Sequence, residues 1–503
     1  MTEALQASYD EFPYESAPIA HSHPDRLATM GWLFGIESSP IESCRVLELG
    51  CSSGGNLIPM AETLPKSEFV GIDFSAVQIS QARAEVATLG LDNVRLLQMD
   101  IRELDDAFGS FNYIIAHGVY SWVPDDVQEK LLEMCARHLA PNGIAYISYN
   151  TLPGWALRSV VRDAMLYHSR QFSDVKMRVK QGRAMLDFLA ETLQGTTSAY
   201  GAMLSEEAQY VRGQPDFYIF HEYLEHVNDP TYFHQFMERA TRHGLRYLAD
   251  AELGSMLLGD LPPQAQETLN RIAGDLMQRE QLVDFLRNRR FRRTLVVHQA
   301  VPLTRKLSPD RLFALHVATR AKPLSGVPDE RSTAAEEFHA PDGGRLTTQR
   351  PLTKAAMMAL VQNSPAAVSF TDLCGLANAR LGARAPVDPN DMAALASDLL
   401  RSYSAGVVEL HSAASPFVIE IGDRPRTSAV VRLQALRGTG VTNLRHETVN
   451  LNEDARRLVP LLDGTRSHDA LAALVFPAGN SETTLGELRS TLAQLAQHAL
   501  LVS

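Results

Sequence analysis

Three small residues, Gly50, Ser52 and Gly55, punctuate Leu47-Glu-Leu-Gly-Cys-Ser-Ser-Gly-Gly-Asn56 at the spacing of a nucleotide-binding turn. In a dinucleotide site the middle position is glycine, because the backbone must close on a pyrophosphate. A serine there disfavours a diphosphate and suits S-adenosylmethionine, which carries no phosphate, so the pattern favours a methyl donor over NAD. Asp73 lies 23 residues after Gly50, where a carboxylate can accept from both ribose hydroxyls. Asp100 could accept from the adenine amino group while Ile101 packs the ring. Phe74, His117 and Tyr14, the last as a lid, complete the candidate donor contacts.

Methyl transfer to an amine asks for position, a polar track and exclusion of water rather than a metal or a covalent nucleophile. His117-Gly-Val-Tyr-Ser-Trp-Val-Pro124 and Asn150-Thr-Leu-Pro-Gly-Trp155 offer such a track. Tyr120, Trp122 and Trp155 could collar an amine, with Asn150 beside them. Equally, Tyr120 and Trp122 could simply cover the edge of the core. His221 and Glu222, in His221-Glu-Tyr-Leu-Glu-His226, could reach the same pocket from an insertion. The two histidines are five apart, not the four that put both on one helix face, so no metal site is expected.

The elements that would hold these residues alternate. Apolar runs at Leu47–Leu49, Glu68–Ile72, Val94–Gln98, Tyr113–Ala116 and Ile144–Ser148 read as strands separated by helical patterns, which predicts an α/β doubly wound, Rossmann-like sheet. Residues 156 to about 228 read as a helical insertion. A helix from Asp229 to His243, capped by Asp229 and stopped by Gly244, then precedes strands at Leu245–Ala249 and Thr294–His298. Residues 1–300 thus form the catalytic unit and 301–350, rich in proline, glycine and charge, a connector. Residues 351–503 form a C-terminal α+β lobe, with a winged-helix pattern at 351–410.

At 503 residues the chain should hold two or three domains. Its hydrophobic content of 45% and charged content of 21% are those of a soluble globular protein. A net charge of −12 gives no overall attraction to nucleic acid or anionic membrane. Arg287, Arg289, Arg290, Arg292 and Arg293 form a local basic run, read as acid-paired and solvated unless it contacts nucleic acid. Four scattered cysteines without CxxC spacing suit a reducing compartment, and the N-terminus shows neither a signal peptide nor a membrane span. A cytoplasmic location is expected. His21 and His23 belong to a polar N-terminal arm.

Together these motifs make the chain resemble the bacterial methyltransferases with a regulatory domain, among them the rickettsial outer-membrane-protein lysine methyltransferases. The resemblance is densest in Tyr9–Tyr14, Val46–Leu57, Gly71–Asp73, His117–Pro124, Pro141–Trp155, His221–Glu225 and Asp284–Phe291. It implies a class I methyltransferase core, a regulatory helical region at about 156–290 and a C-terminal lobe containing a winged helix. It also implies a donor site at Glu48, Gly50, Asn56, Asp73 and Asp100. The implied acceptor is a protein lysine, in those relatives on an outer-membrane protein before export. Two alternatives stay open: a small-molecule acceptor, and a non-catalytic regulator that contacts nucleic acid. The lobe is expected to dock a protein acceptor without completing the donor pocket, so a chain ending near residue 320 should keep its donor affinity.

Overall fold

The apolar runs become the middle strands of one sheet. In the computed structural model, which describes residues 16–383, 386–476 and 481–502 (481 and 482 by backbone only), β1 (Arg45–Leu49), β2 (Glu68–Asp73), β3 (Val94–Gln98), β4 (Phe111–Ala116) and β5 (Leu139–Asn150) pair in parallel. With β6 (Leu245–Asp250) and β7 (Phe291–His298) the order is β3-β2-β1-β4-β5-β7-β6, and β7 runs antiparallel to both neighbours. Central strands of such a sheet are buried on both faces and need consecutive apolar residues. Val46, Leu47, Leu49 and Tyr113 to Ala116 are accordingly all inaccessible. The strand order reverses between β1 and β4, so the loops after these strands flank the crevice where open α/β sheets bind ligands. Tyr14 lies outside the described residues.

The insertion consists of helices Gly154–Ser169, Val175–Thr192 and Ala199–Arg212, which bury their own core of Val161, Met165, Val179, Leu186, Leu204 and Val211. Asp174 and Ser198 cap the second and third helices, accepting from the amides of Met177 at 2.7 Å and Gly201 at 3.0 Å. A short helix, Asp216–Ile219, runs into a π-helical turn at Phe220–Leu224. The wider i→i+5 winding of such a turn shifts side chains relative to an α-helix, and here it carries His221 and Glu222.

Several sequence expectations change in the structure. The helix expected from Asp229 begins at Phe233. Asp229 is not its cap; its carboxylate accepts from Gln128 Nε2 at 3.1 Å, and its amide donates to Ser121 O at 2.8 Å. The stop at Gly244 holds, with φ at +78°. The segment 301–350 is not a bare connector. Its strand His316–Thr319 sits between Val368–Ser369 and Val408–His411 in an antiparallel sheet, and Leu312, Leu315 and Val317 join the core shared with the seven-stranded sheet. Helices Pro351–Asn363, Phe370–Arg380 and Pro389–Ser404 pack with this sheet. Finally, the arginine run is acid-paired but not a solvated face, with Arg292 fully buried and the other four arginines partly so. Arg292 meets Asp284 at 2.8 Å and Glu280 at 3.1 Å, and Arg289 meets Asp250 at 3.2 Å. Buried guanidinium groups require such partners to offset desolvation.

Residues 431–501 bury a separate core, yet the C-terminal part is held against the sheet domain. Glu62 caps the helix Ala429–Arg437 by accepting from the amides of Ala429 and Val430, and Arg437 pairs with Glu85. His21 and His23 do not form a free arm. His23 caps the helix Pro24–Leu33, Asp25 of that helix accepts from His411 Nδ1 at 2.7 Å, and Arg26 pairs with Glu409.

Candidate active site

A cavity of about 420 Å³ opens at the C-terminal ends of β1, β2 and β4, within the range of small-molecule sites. Gly50 follows β1 with φ at +76°, and a Cβ there would come within 2.5 Å of Val119. Only glycine fits both constraints. Ser52 is also left-handed, at φ 52°, although it carries a side chain. Its strained backbone is held by a hydrogen bond from its amide to Asp73 Oδ2 at 2.8 Å, and its hydroxyl contacts Gln78. Asp73 Oδ1 accepts from the amide of Ser75 at 2.9 Å. One carboxylate at the end of β2 therefore locks both the glycine-rich loop and the next helix start.

Glu48, Gly50, Ser52, Asn56, Asp73, Phe74, Ile101 and His117, all candidates from the sequence, border this one cavity. Gly55 does not. A Cβ on it would meet the Ser16 carbonyl at 2.4 Å, so this glycine admits the N-terminal segment, whose Ser16, Ala17 and Ile19 line the cavity. Asp100 also lies off the lining. Its carboxylate accepts from Arg102 at 2.8 Å, while the neighbouring Met99 and Ile101 face the cavity. Burial pushes the Glu48 carboxyl up to about 8. Its Oε1 accepts from Asn56 Nδ2 at 2.8 Å, and its buried Oε2 has no hydrogen-bond partner among the described residues. His117 Nδ1 lies 2.9 Å from Tyr146 Oη, and burial lowers the imidazole to about 3, leaving it neutral.

The cavity continues past β4 to Trp122, Asn150, Phe217, Tyr218, His221 and Glu222. The three aromatic residues of the expected collar separate here. Trp122 borders the cavity and Trp155, 2% exposed, stands behind it. Tyr120 is turned into the core, edge-on to Phe236 at 5.2 Å. In a 3-10 turn, successive side chains point about 120° apart, so Tyr120–Trp122 cannot present one face. His221 sits 3.6 Å from Glu225, and among the described residues no cluster of three or more His, Cys, Asp or Glu is placed to hold a metal. Burial pushes Glu222 up to about 7, opposed by Arg158 and Arg162.

Ser16, Gln78, Val119, Phe217 and Tyr218 also line the cavity, without a sequence motif that marks them. Pro215 before an aromatic pair was the only local signal for the last two. His446 likewise carries no local signal of its contact, in which its Nε2 lies 2.7 Å from Asn56 Oδ1.

Comparison with known proteins accounts for this layout. A "Methyltransferase domain" model matches residues 46–143, a "Predicted methyltransferase regulatory domain" residues 215–298, and a "PKMT, C-terminal winged helix domain" residues 423–500. PKMT2 from Rickettsia typhi superposes with a TM-score of 0.88 at 30% identity, covering 98% of this chain and 100% of that one. Its complex with AdoHcy gives 0.87 at 29%. An uncharacterized protein of Rickettsia prowazekii is 37% identical over 483 residues, 94% of this chain and 86% of the relative. The chain belongs to this methyltransferase family. In this methyltransferase the matched winged-helix domain lies downstream of residues 351–410, where the sequence pattern placed it, and the matched regulatory domain begins at 215, inside the insertion.

The residues present fit S-adenosylmethionine. The unpartnered Glu48 oxygen suits an ammonium, Asp73 suits paired hydroxyls, and Phe74, Met99 and Ile101 offer apolar faces for an aromatic base.

Proposed function

We propose that this methyltransferase transfers a methyl group from S-adenosylmethionine to the side-chain amine of a lysine in a protein. When bound, the donor supplies a methyl group on a cationic sulfur, so a neutral amine can form the N–C bond as the C–S bond breaks. The continuity of the cavity from Glu48 and Asp73 to Trp122 and Glu222 carries the reading. A lysine ammonium, with an ordinary pKa of about 10.4, must lose a proton before it attacks. Glu222, poised at about 7, is matched to take that proton near neutral pH. Trp122 presents an aromatic surface that attracts a cation and excludes water, and Asn150 adds a polar group at the same edge.

The protein acceptor draws support from the family, whose matched C-terminal domain and Rickettsia typhi relative both carry the PKMT label. By resemblance, the acceptor class is an outer-membrane protein met before export, and the place of encounter the cytoplasm. The free thiols of Cys44, Cys51, Cys135 and Cys374 suit that compartment. Among the described residues no helix is long and apolar enough to cross a membrane.

The deciding experiment incubates the protein with methyl-labelled donor and a cell lysate, separates protein, nucleic acid and small molecules, and maps the label by mass spectrometry. Label on lysine Nζ is expected; label confined to nucleic acid or small molecules overturns the reading.

A further inference from the structure

We propose that His446, on the C-terminal winged-helix domain, is a positioning residue for the methyl-donor site. It occupies the tip of a hairpin between strands Gly440–Thr442 and Thr448–Asn450, at φ 62°, and is 5% exposed. The tip is held rigidly. Asn443 Oδ1 accepts from the amides of Arg445 at 3.0 Å and Glu447 at 2.9 Å, and Arg445 is paired with Glu409 at 2.7 Å and Glu447 at 3.2 Å. From there the imidazole reaches Asn56, 390 residues earlier in the chain.

The hydrogen bonds around Asn56 admit one arrangement. Its Nδ2 donates to Glu48 Oε1 at 2.8 Å and to Ser22 Oγ at 3.0 Å, so Oδ1 is the acceptor end. That oxygen accepts from the Ile19 amide at 2.8 Å and faces His446 Nε2 at 2.7 Å. Nε2 must therefore carry the proton. Burial holds the imidazole well below its ordinary pKa, so it stays neutral with that proton in place. Of the groups Asn56 binds, Ile19 and Glu48 border the donor cavity. An amide fastened at both ends cannot rotate; it keeps Glu48 Oε1 occupied and leaves Oε2 for the ligand. Docking of the hairpin and occupancy of the donor site are thereby coupled, and the coupling is reciprocal.

The inference rests on the reading of the cavity as the donor site. Binding of AdoHcy to the full chain is measured by calorimetry. His446→Leu should raise Kd by about 5- to 20-fold, the range expected for loss of one buried hydrogen bond. His446→Gln, whose amide can donate to the same oxygen, should stay within about threefold of wild type. In turnover, the Leu variant should raise KM for the donor more than it lowers kcat. An unchanged Kd in His446→Leu, or a Gln variant as weak as the Leu variant, overturns the proposal. Hydrogen exchange on the unmutated protein needs no variant to fold: AdoHcy should slow exchange across residues 443–447, and unaltered exchange with ligand bound also overturns it. Failure of the wild type to bind AdoHcy would instead refute the donor reading itself.

Discussion

The indole of Trp122 meets that of Trp155 edge-on, ring centroids 6.5 Å apart and planes at 89°, and Trp122 is the member of the pair that borders the cavity. Trp155 is in turn covered by the Arg158 guanidinium, 5.0 Å from its ring. Trp122→Ala should therefore lower turnover by about 10²-fold, roughly 2.7 kcal/mol of transition-state stabilisation, with donor affinity changed only a few-fold. Tyr120→Phe should leave turnover within about twofold, since that ring packs in the core. Parallel kinetics and calorimetry check both; equal loss of donor binding and turnover in Trp122→Ala would return Trp122 to the core.

Asp73 holds the loop and faces the cavity at once. Asp73→Ala should weaken donor binding by about 10- to 150-fold, as expected for charge-assisted hydrogen bonds worth about 1.5–3 kcal/mol. Calorimetry on a variant shown by melting to be folded tests this, and wild-type affinity would remove Asp73 from the donor site.

Protonation of Glu222 sets an acid limb. Its carboxyl is raised to about 7, so it is charged and able to accept a proton above that pH and neutral below it. Turnover on a protein acceptor should fall as pH drops through about 7. In Glu222→Gln the rate should be lower and that limb absent. A pH–rate profile that keeps the limb in the variant assigns it to another group.

Donor binding should release a proton at neutral pH. Glu48, raised to about 8 by burial, is mostly protonated at pH 7 in the free protein, and an ammonium beside it favours the carboxylate. Calorimetry of AdoHcy binding at pH 7 in two buffers of different ionisation enthalpy should show the release, and Glu48→Gln should abolish it. The same raised pKa makes Glu48 destabilising at high pH. Unfolded, it loses its proton near pH 4.3, and stability from this group falls as pH rises from there to about 8.

A chain ending near residue 320 should fail to fold cooperatively, contrary to what the sequence suggests. It would expose Leu315 and Val317 and lose Val408, Leu410, the Arg26–Glu409 pair and the Asp25–His411 contact. Thermal melting checks this; a cooperative transition with wild-type donor affinity would show the domains to be independent.

The gathering of residues at the ends of the first two strands was readable from local order. Turn, strand end and carboxylate follow one another within β1 and β2, and parallel strands deliver their C-terminal residues to one edge, so Gly50, Ser52, Asp73 and Phe74 had to meet there. Spacing does not set which way a side chain turns or which distant segment covers it. Asp100 turned to Arg102, whose backbone amide and guanidinium both donate to its carboxylate, and Tyr120 turned inward with the 3-10 turn. Glu222 reached the cavity because a helical insertion with its own core carries the π-helical turn over the sheet edge. His446 found Asn56 across 390 residues because burying the hairpin tip required a partner for its imidazole, and a pairing at that separation exists only once both domains have packed.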